Sequence, residues 1–152
     1  MTISFFKTKP LVMQNYRNLL VWQKSHQLTL EVYRVTKTFP CDEQFGLTSQ
    51  LKRACSSNPT NLAEGSGKLT QREFRRYVLI SFGSSNELEY LLFLSFELHY
   101  LTEAEFMELD AQIKEVKRML AGLINAISKK IIISGLFILA LITSCYFLYY
   151  LV

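Results

Sequence analysis

Between residues 19 and 127 apolar side chains recur at steps of three and four, and three interruptions cut the pattern into four amphipathic segments. The first carries Leu19, Trp22, His26, Leu30 and Tyr33 on one face; Asn18, a good cap type, opens it. Phe39-Pro40 closes it, since a residue before proline is pushed out of the α region. The second runs over residues 45–64 with Leu47, Leu51, Ala54, Asn58 and Leu62 inside. Pro59 removes one intrahelical hydrogen bond there and predicts a kink or break, and Gly65-Ser66-Gly67 ends the segment in a turn.

Thr70 and Glu73 form a capping-box pattern ahead of the third segment, whose inner positions read Phe74, Tyr77, Ser81, Ser85, Leu88, Leu92, Ser95 and His99. It reaches about Tyr100 and is expected to be the longest helix of the bundle. Small residues at its middle (Gly83, Ser84, Ser85) predict close approach by a neighbouring helix. Thr102 and Glu105 repeat the capping box, and Phe106, Leu109, Ile113, Val116, Leu120, Leu123 and Ile127 follow without a break. No segment alternates with a period of two. Short turns between long helices favour antiparallel neighbours, so the expected fold is all-α, an antiparallel up-down four-helix bundle over residues 14–128.

Two flanks fall outside this pattern. Residues 1–13 have no period and are expected to be a disordered leader, with Met13 an alternative start to Met1. Residues 129–152 form a hydrophobic tail, an extra helix in which residues 131–152 carry no charge and are long enough to cross a bilayer. Lys129 and Lys130 precede it, and Tyr146, Tyr149 and Tyr150 cluster towards its far end, as in a membrane anchor that leaves the bundle in the cytoplasm. Two other readings stand beside the anchor: an extension of the fourth helix covered by partner subunits, and read-through past an ancestral stop.

Composition sharpens the picture only in part. The 152 residues suffice for one domain with a real core. Three widely spaced cysteines, Cys41, Cys55 and Cys145, give neither a disulfide framework nor zinc-ligand spacing and read as reduced, mostly buried thiols. His26 and His99 lie on inner helical faces and read as core or interface histidines, not metal ligands. The run Gly65-Ser66-Gly67-Lys68-Leu69-Thr70 superficially resembles a phosphate-binding loop. Leu62 and Leu69 stand where that loop needs glycine and a hydroxyl residue, and what precedes it is helical. The sequence therefore points to no enzyme, no cofactor and no metal.

Charge is more informative. Residues 1–81 hold 12 Lys/Arg against 5 Asp/Glu, and residues 82–128 hold 3 against 8, so a net charge of +4 conceals two opposed halves. Lys52 and Arg53 on the second helix, Lys68 in the turn, and Arg72, Arg75 and Arg76 at the start of the third are the candidate nucleic-acid contacts. Lys52 and Arg53 lie about 18 Å from the turn and extend a stripe without joining a cluster. The competing reading is a solvated face with local ion pairs, such as Arg72 or Arg76 with Glu73.

The order of motifs is also distinctive. Asn15-Tyr16-Arg17-Asn18-Leu19, Val21-Trp22-Gln23-Lys24, Thr38-Phe39-Pro40, Phe45-Gly46-Leu47-Thr48-Ser49-Gln50-Leu51, Asn61-Leu62-Ala63-Glu64-Gly65-Ser66-Gly67, Glu73-Phe74 and Gly83-Ser84 with Glu87-Leu88-Glu89 occur in sequence. Over residues 14–127 the chain resembles the four-helix-bundle family encoded by intervening sequences in bacterial 23S rRNA genes. That resemblance implies an antiparallel four-helix protomer assembling as a homopentamer. It also implies kinship with the accessory proteins of diversity-generating retroelements, which are basic barrels that bind nucleic acid and a reverse transcriptase. It supplies no catalytic residue. The expectation that follows is a non-enzymatic homo-oligomer binding RNA or DNA through its basic surface, with a membrane-tethered scaffold as the alternative.

Overall fold

The computed structural model describes residues 15–151, so the expected leader lies outside the described residues. Four α-helices follow one another: α1 (Leu20–Val35), α2 (Leu47–Ser66), α3 (Gln71–Glu97) and α4 (Glu103–Leu151). Each packs on its neighbours in sequence, and α4 closes the ring against α1. Cross-helix pairs run in opposite directions along each seam. Arg53 meets Glu87 while Asn58 meets Ser81, and Lys117 meets Glu89 while Ser128 meets Arg75. The up-down four-helix bundle is thus observed.

The entry to α1 differs from expectation. Asn15, not Asn18, is the capping residue: its Oδ1 accepts the Arg17 N–H at 3.1 Å and starts a 3-10 turn over Tyr16–Asn18. Leu19 is extended, and α1 begins after it without a side-chain cap. The buried face of α1 is Val21, Ser25, Leu28, Val32 and Val35, rotated by about one residue, or 100°, from the stripe read in the sequence. Leu30 and Tyr33 are 57% and 43% exposed, and His26 is exposed. The larger side chains lie at the rim, where Trp22 stacks on His26 with centroids 5.1 Å apart and donates from Nε1 to the Pro59 carbonyl at 3.1 Å.

α2 starts two residues late, leaving Phe45 91% exposed, but its predicted inner stripe of Leu47, Leu51, Ala54, Asn58 and Leu62 is all buried. The helix runs through Pro59 to Ser66 without interruption. The orphaned acceptor explains how. Pro59 has no N–H for the Cys55 carbonyl, and the Thr29 hydroxyl of α1 reaches that oxygen at 2.9 Å. The same hydroxyl lies 2.8 Å from the Ser25 carbonyl.

The close approach between α2 and α3 is made at Gly65, not Gly83. A Cβ on Gly65 would stand 2.7 Å from Tyr77 Cβ and 2.9 Å from Phe74 Cδ2, whereas one on Gly83 would meet nothing within 4 Å. Farther along, the Ser81 and Ser85 hydroxyls donate to Asn58 Oδ1 at 2.8 and 2.9 Å, and Ser57 and Ser84 hydroxyls pair at 2.8 Å. Asn58 Nδ2 is left without a partner among the described residues.

The capping box at α4 forms in full, and the one at α3 forms by its N-cap half. Thr70 Oγ1 accepts the Glu73 N–H at 3.2 Å, and at α4 Thr102 Oγ1 accepts the Glu105 N–H at 3.3 Å while Glu105 Oε2 accepts the Thr102 N–H at 3.0 Å. α3 ends at Glu97 and is closed by His99, whose φ of 60° is left-handed, with the Tyr100 N–H donating to the Ser95 carbonyl at 2.9 Å. His99 is therefore an exposed terminus and not an inner residue. On α4, Leu109, Ile113, Val116, Leu120 and Ile127 are buried as the spacing requires. The hydrophobic tail continues α4 with no break, which makes α4, at 49 residues, the longest helix.

Candidate functional site

The antiparallel order gathers one set of charges at one end of the bundle. The α2–α3 turn, the start of α1 and the stretch of α4 around Ser128 all lie there. Arg75 Nε donates to Ser128 Oγ at 2.8 Å, and Ser128 is followed directly by Lys129 and Lys130. Tyr16 lines the same shallow hollow as Ala63, which brings Arg17 to this end as well. Against these seven cations (Arg17, Lys68, Arg72, Arg75, Arg76, Lys129 and Lys130) stand two acids, Glu64 and Glu73. The opposite end carries Glu31, Asp42, Glu43, Glu97, Glu103, Glu105 and Glu108, with Arg34 and Lys37 among them. The bundle is charged along its axis.

The six candidate contacts divide into two groups. Lys52 is half-buried over the Tyr33 ring, 5.4 Å from its centroid, and Arg53 is ion-paired with Glu87. Both sit midway along the bundle, engaged by its own side chains. Lys68, Arg72, Arg75 and Arg76 do come together. Lys68 lies 4.8 Å from the Tyr77 ring centroid, and its contact with Tyr77 holds the ammonium above its usual range. Arg72 and Arg76 are exposed one helical turn apart, with no hydrogen bond or ion pair to another described residue. Glu73 does not pair with them, because its carboxylate accepts from the Thr70 hydroxyl at 2.8 Å.

Lys129, Lys130 and Arg17 belong to this cluster but were not among the sequence candidates. Antiparallel order alone would have found the first two, since it sets the end of the amphipathic part of α4 beside the start of α3.

From this basic end α4 runs on. Ile131 still packs against the core, but Ile132, Ile133, Leu136, Phe137, Leu139 and Ile142 are exposed at between 49% and 66%. At 100° per residue these six cover more than half the helix circumference. Among the described residues α4 is the one helix long and apolar enough to cross a membrane. The side chains of Tyr146, Tyr149 and Tyr150 lie outside the described ones.

Other chemistry is sparse. The hollow between α1 and α2, about 310 Å³, is lined by Tyr16, Trp22, His26, Thr29, Pro59 and Ala63, and its indole N–H is already committed to Pro59. Among the described residues no three His, Cys, Asp or Glu side chains are grouped to hold a metal. Cys55 is buried and its thiol is pushed up to about 12 by desolvation, whereas Cys41 is exposed.

A search among curated proteins gives no match. Among solved structures, the chain is similar to a protein of unknown function from the S23 ribosomal protein family of Bacteroides thetaiotaomicron. The TM-score is 0.65 at 22% identity, over 69% of this chain and 95% of that one, a likeness of fold. A model of the 23S rRNA-intervening sequence protein family matches residues 17–122, most of the four-helix bundle, and the chain belongs to that family.

Proposed function

We propose that this protein is a non-catalytic binding module held at a membrane, with residues 131–152 crossing the bilayer and the four-helix bundle standing on its surface. The observation that carries this reading is the uninterrupted α4, which leaves the bundle with apolar side chains around most of its circumference. An extension covered by partner subunits needs only a stripe, whereas lipid contacts every side. The charge-free run is about 33 Å long at 1.5 Å per residue, which matches a hydrocarbon core of about 30 Å. A continuous helix also keeps every backbone group bonded within the segment as it enters lipid. The test is fractionation of the full chain: it should stay with membranes through alkaline carbonate, and deletion of residues 131–152 should release it. Recovery of the full chain as a particle without detergent would overturn the reading.

A second reading, a homo-oligomer that binds RNA or DNA through the basic end, is favoured by two features. Arg72 and Arg76 carry no hydrogen bond or ion pair to another described residue, and α3 exposes Leu79, Ile80, Tyr90 and Phe93 around the bare Gly83, a face suited to another copy. It predicts co-purifying nucleic acid lost steeply with salt. Changing Arg72, Arg75 and Arg76 together to glutamine should abolish that binding; unchanged affinity at low salt would exclude this surface.

A further inference from the structure

We infer that the basic end of the bundle is a collar for anionic phospholipid headgroups, built around the point where α4 enters the bilayer. The inference rests on the membrane reading above and adds the partner of the exposed cations.

Three independent features converge on it. The first is position. The contact between Arg75 and Ser128, with α3 and α4 antiparallel, sets Arg72 at about the level of residue 131, where the charge-free run begins. Lys68, in the turn before α3, lies at or beyond that level. A bilayer crossed by residues 131–152 therefore has its headgroup layer at the height of Lys68, Arg72, Lys129 and Lys130.

The second is a local conflict in the helix. The start of an α-helix carries the positive end of its dipole and favours acids, yet α3 opens with Arg72, Arg75 and Arg76 against Glu73 alone. Of the three arginines, only Arg75 has a hydrogen-bond partner among the described residues. An external anion would relieve the repulsion at Arg72 and Arg76. Lys68 is different, since it follows the negative end of α2, where a cation is favourable.

The third is the contrast along the axis. The acidic end, with Glu97, Glu103 and Glu108, faces away from the tail, so approach to an anionic surface is attractive in this orientation alone. The cations also follow the general rule that basic residues flank a membrane helix on the side that is retained. Here α3, α4 and the turn before α3 supply them, so the charge lies in the fold and not merely in the sequence next to the tail.

The test gives the full chain a choice. It is synthesised without cells in the presence of equal lipid amounts of phosphatidylcholine vesicles and phosphatidylglycerol-rich vesicles of different density, which are then separated by flotation. Cations near an anionic surface contribute about fivefold each. The wild type should favour the anionic vesicles, and Lys68→Gln with Arg72→Gln and Arg76→Gln should lower that preference by about a hundredfold. The carbonate-resistant fraction should not change. Raising the salt should weaken the preference as well. The three side chains are exposed, and a thermal melt confirms that the variant stays folded.

Equal distribution of the wild type, or a preference that survives the triple change, overturns the collar while leaving the anchor standing. A chain found in neither vesicle population overturns the anchor, and the collar falls with it. If an added structured RNA draws the wild type away from anionic vesicles and the triple change abolishes RNA binding but not vesicle preference, the cations serve nucleic acid and the inference fails.

Discussion

One substitution at two glycines should give effects of opposite sign. Gly65 and Gly83 both lie within helices, so alanine should gain about 1 kcal/mol at each from helix propensity. At Gly83 nothing opposes that gain, because the new methyl meets no atom within 4 Å. At Gly65 the methyl would stand 2.7 Å from Tyr77 Cβ, an atom fixed to the α3 backbone that cannot rotate away. Phe74 Cδ2 at 2.9 Å could yield by ring motion, but Phe74 is itself buried. Relief therefore requires α2 and α3 to part by several tenths of an ångström, straining the Asn58 contacts with Ser81 and Ser85 farther along the seam. Overpacking of this kind costs about 1–3 kcal/mol, or more when backbone must move. Set against the propensity gain, Gly65→Ala should be destabilised by up to about 2 kcal/mol while Gly83→Ala is stabilised by up to about 1. Urea denaturation of the full chain in a mild detergent, followed by helical circular dichroism, measures both. If Gly65→Ala is as stable as Gly83→Ala, the close approach assigned to Gly65 is wrong. A loss at Gly83 would show that its open surface is covered by another copy.

Three further outcomes follow from particular contacts. Thr29→Val should cost about 1–2 kcal/mol because the Cys55 carbonyl loses its donor, and the cost should shrink in a Pro59→Ala background, where a restored N–H can take over; a double-mutant cycle with no coupling would refute the pairing. Maleimide should label Cys41 at neutral pH and leave Cys55 untouched until the bundle unfolds, since burial holds the Cys55 thiol at about 12; equal labelling of both in the native state would contradict that burial. Backbone and hydroxyl hydrogen bonds from Thr102 hold the Glu105 carboxyl below its usual range. Its contribution is present above the ordinary carboxylate range and is lost as the pH falls through the lowered folded value, so acid titration of stability should flatten in Glu105→Gln.

The elements themselves were legible because their punctuation is chemical and local. Phe39-Pro40, the two Thr-x-x-Glu boxes and the unbroken stripe from Leu109 to Ile127 each fix a boundary or a face without tertiary context. The face of α1 was not legible for the opposite reason. Apolar residues occur all around that helix, so spacing alone does not pick out the face that packs on α2 and α4. Whether α2 would break at Pro59 or continue through it was likewise not legible, because the hydroxyl that reaches the freed Cys55 carbonyl comes from Thr29, thirty residues earlier. At the basic end, Arg72 and Arg76 read correctly as exposed, but two cations expected to extend their surface are engaged midway along the bundle by Glu87 and Tyr33.

The continuity of α4 ties these local facts to one physical consequence. A flexible joint between bundle and tail would let the charged end adopt any attitude to the apolar run. An unbroken helix sets it, since bending α4 sharply near Ser128 would break successive backbone hydrogen bonds. The Ser128 and Ser134 hydroxyls do not leave the helix for an outside partner but donate back to the Ile124 and Lys130 carbonyls at 2.7 and 2.9 Å. Arg75 braces α3 against the same stretch through Ser128. The bundle axis is thereby locked close to the direction of the apolar run, and the acidic end is carried farthest from the charge-free segment. Any partner of the acidic end would meet it at a fixed height, about 40 Å of helix above residue 131 at 1.5 Å per residue. Under the membrane reading proposed above, the four-helix bundle would act as a spacer, with one end facing an anionic surface and the other presenting carboxylates to the solvent.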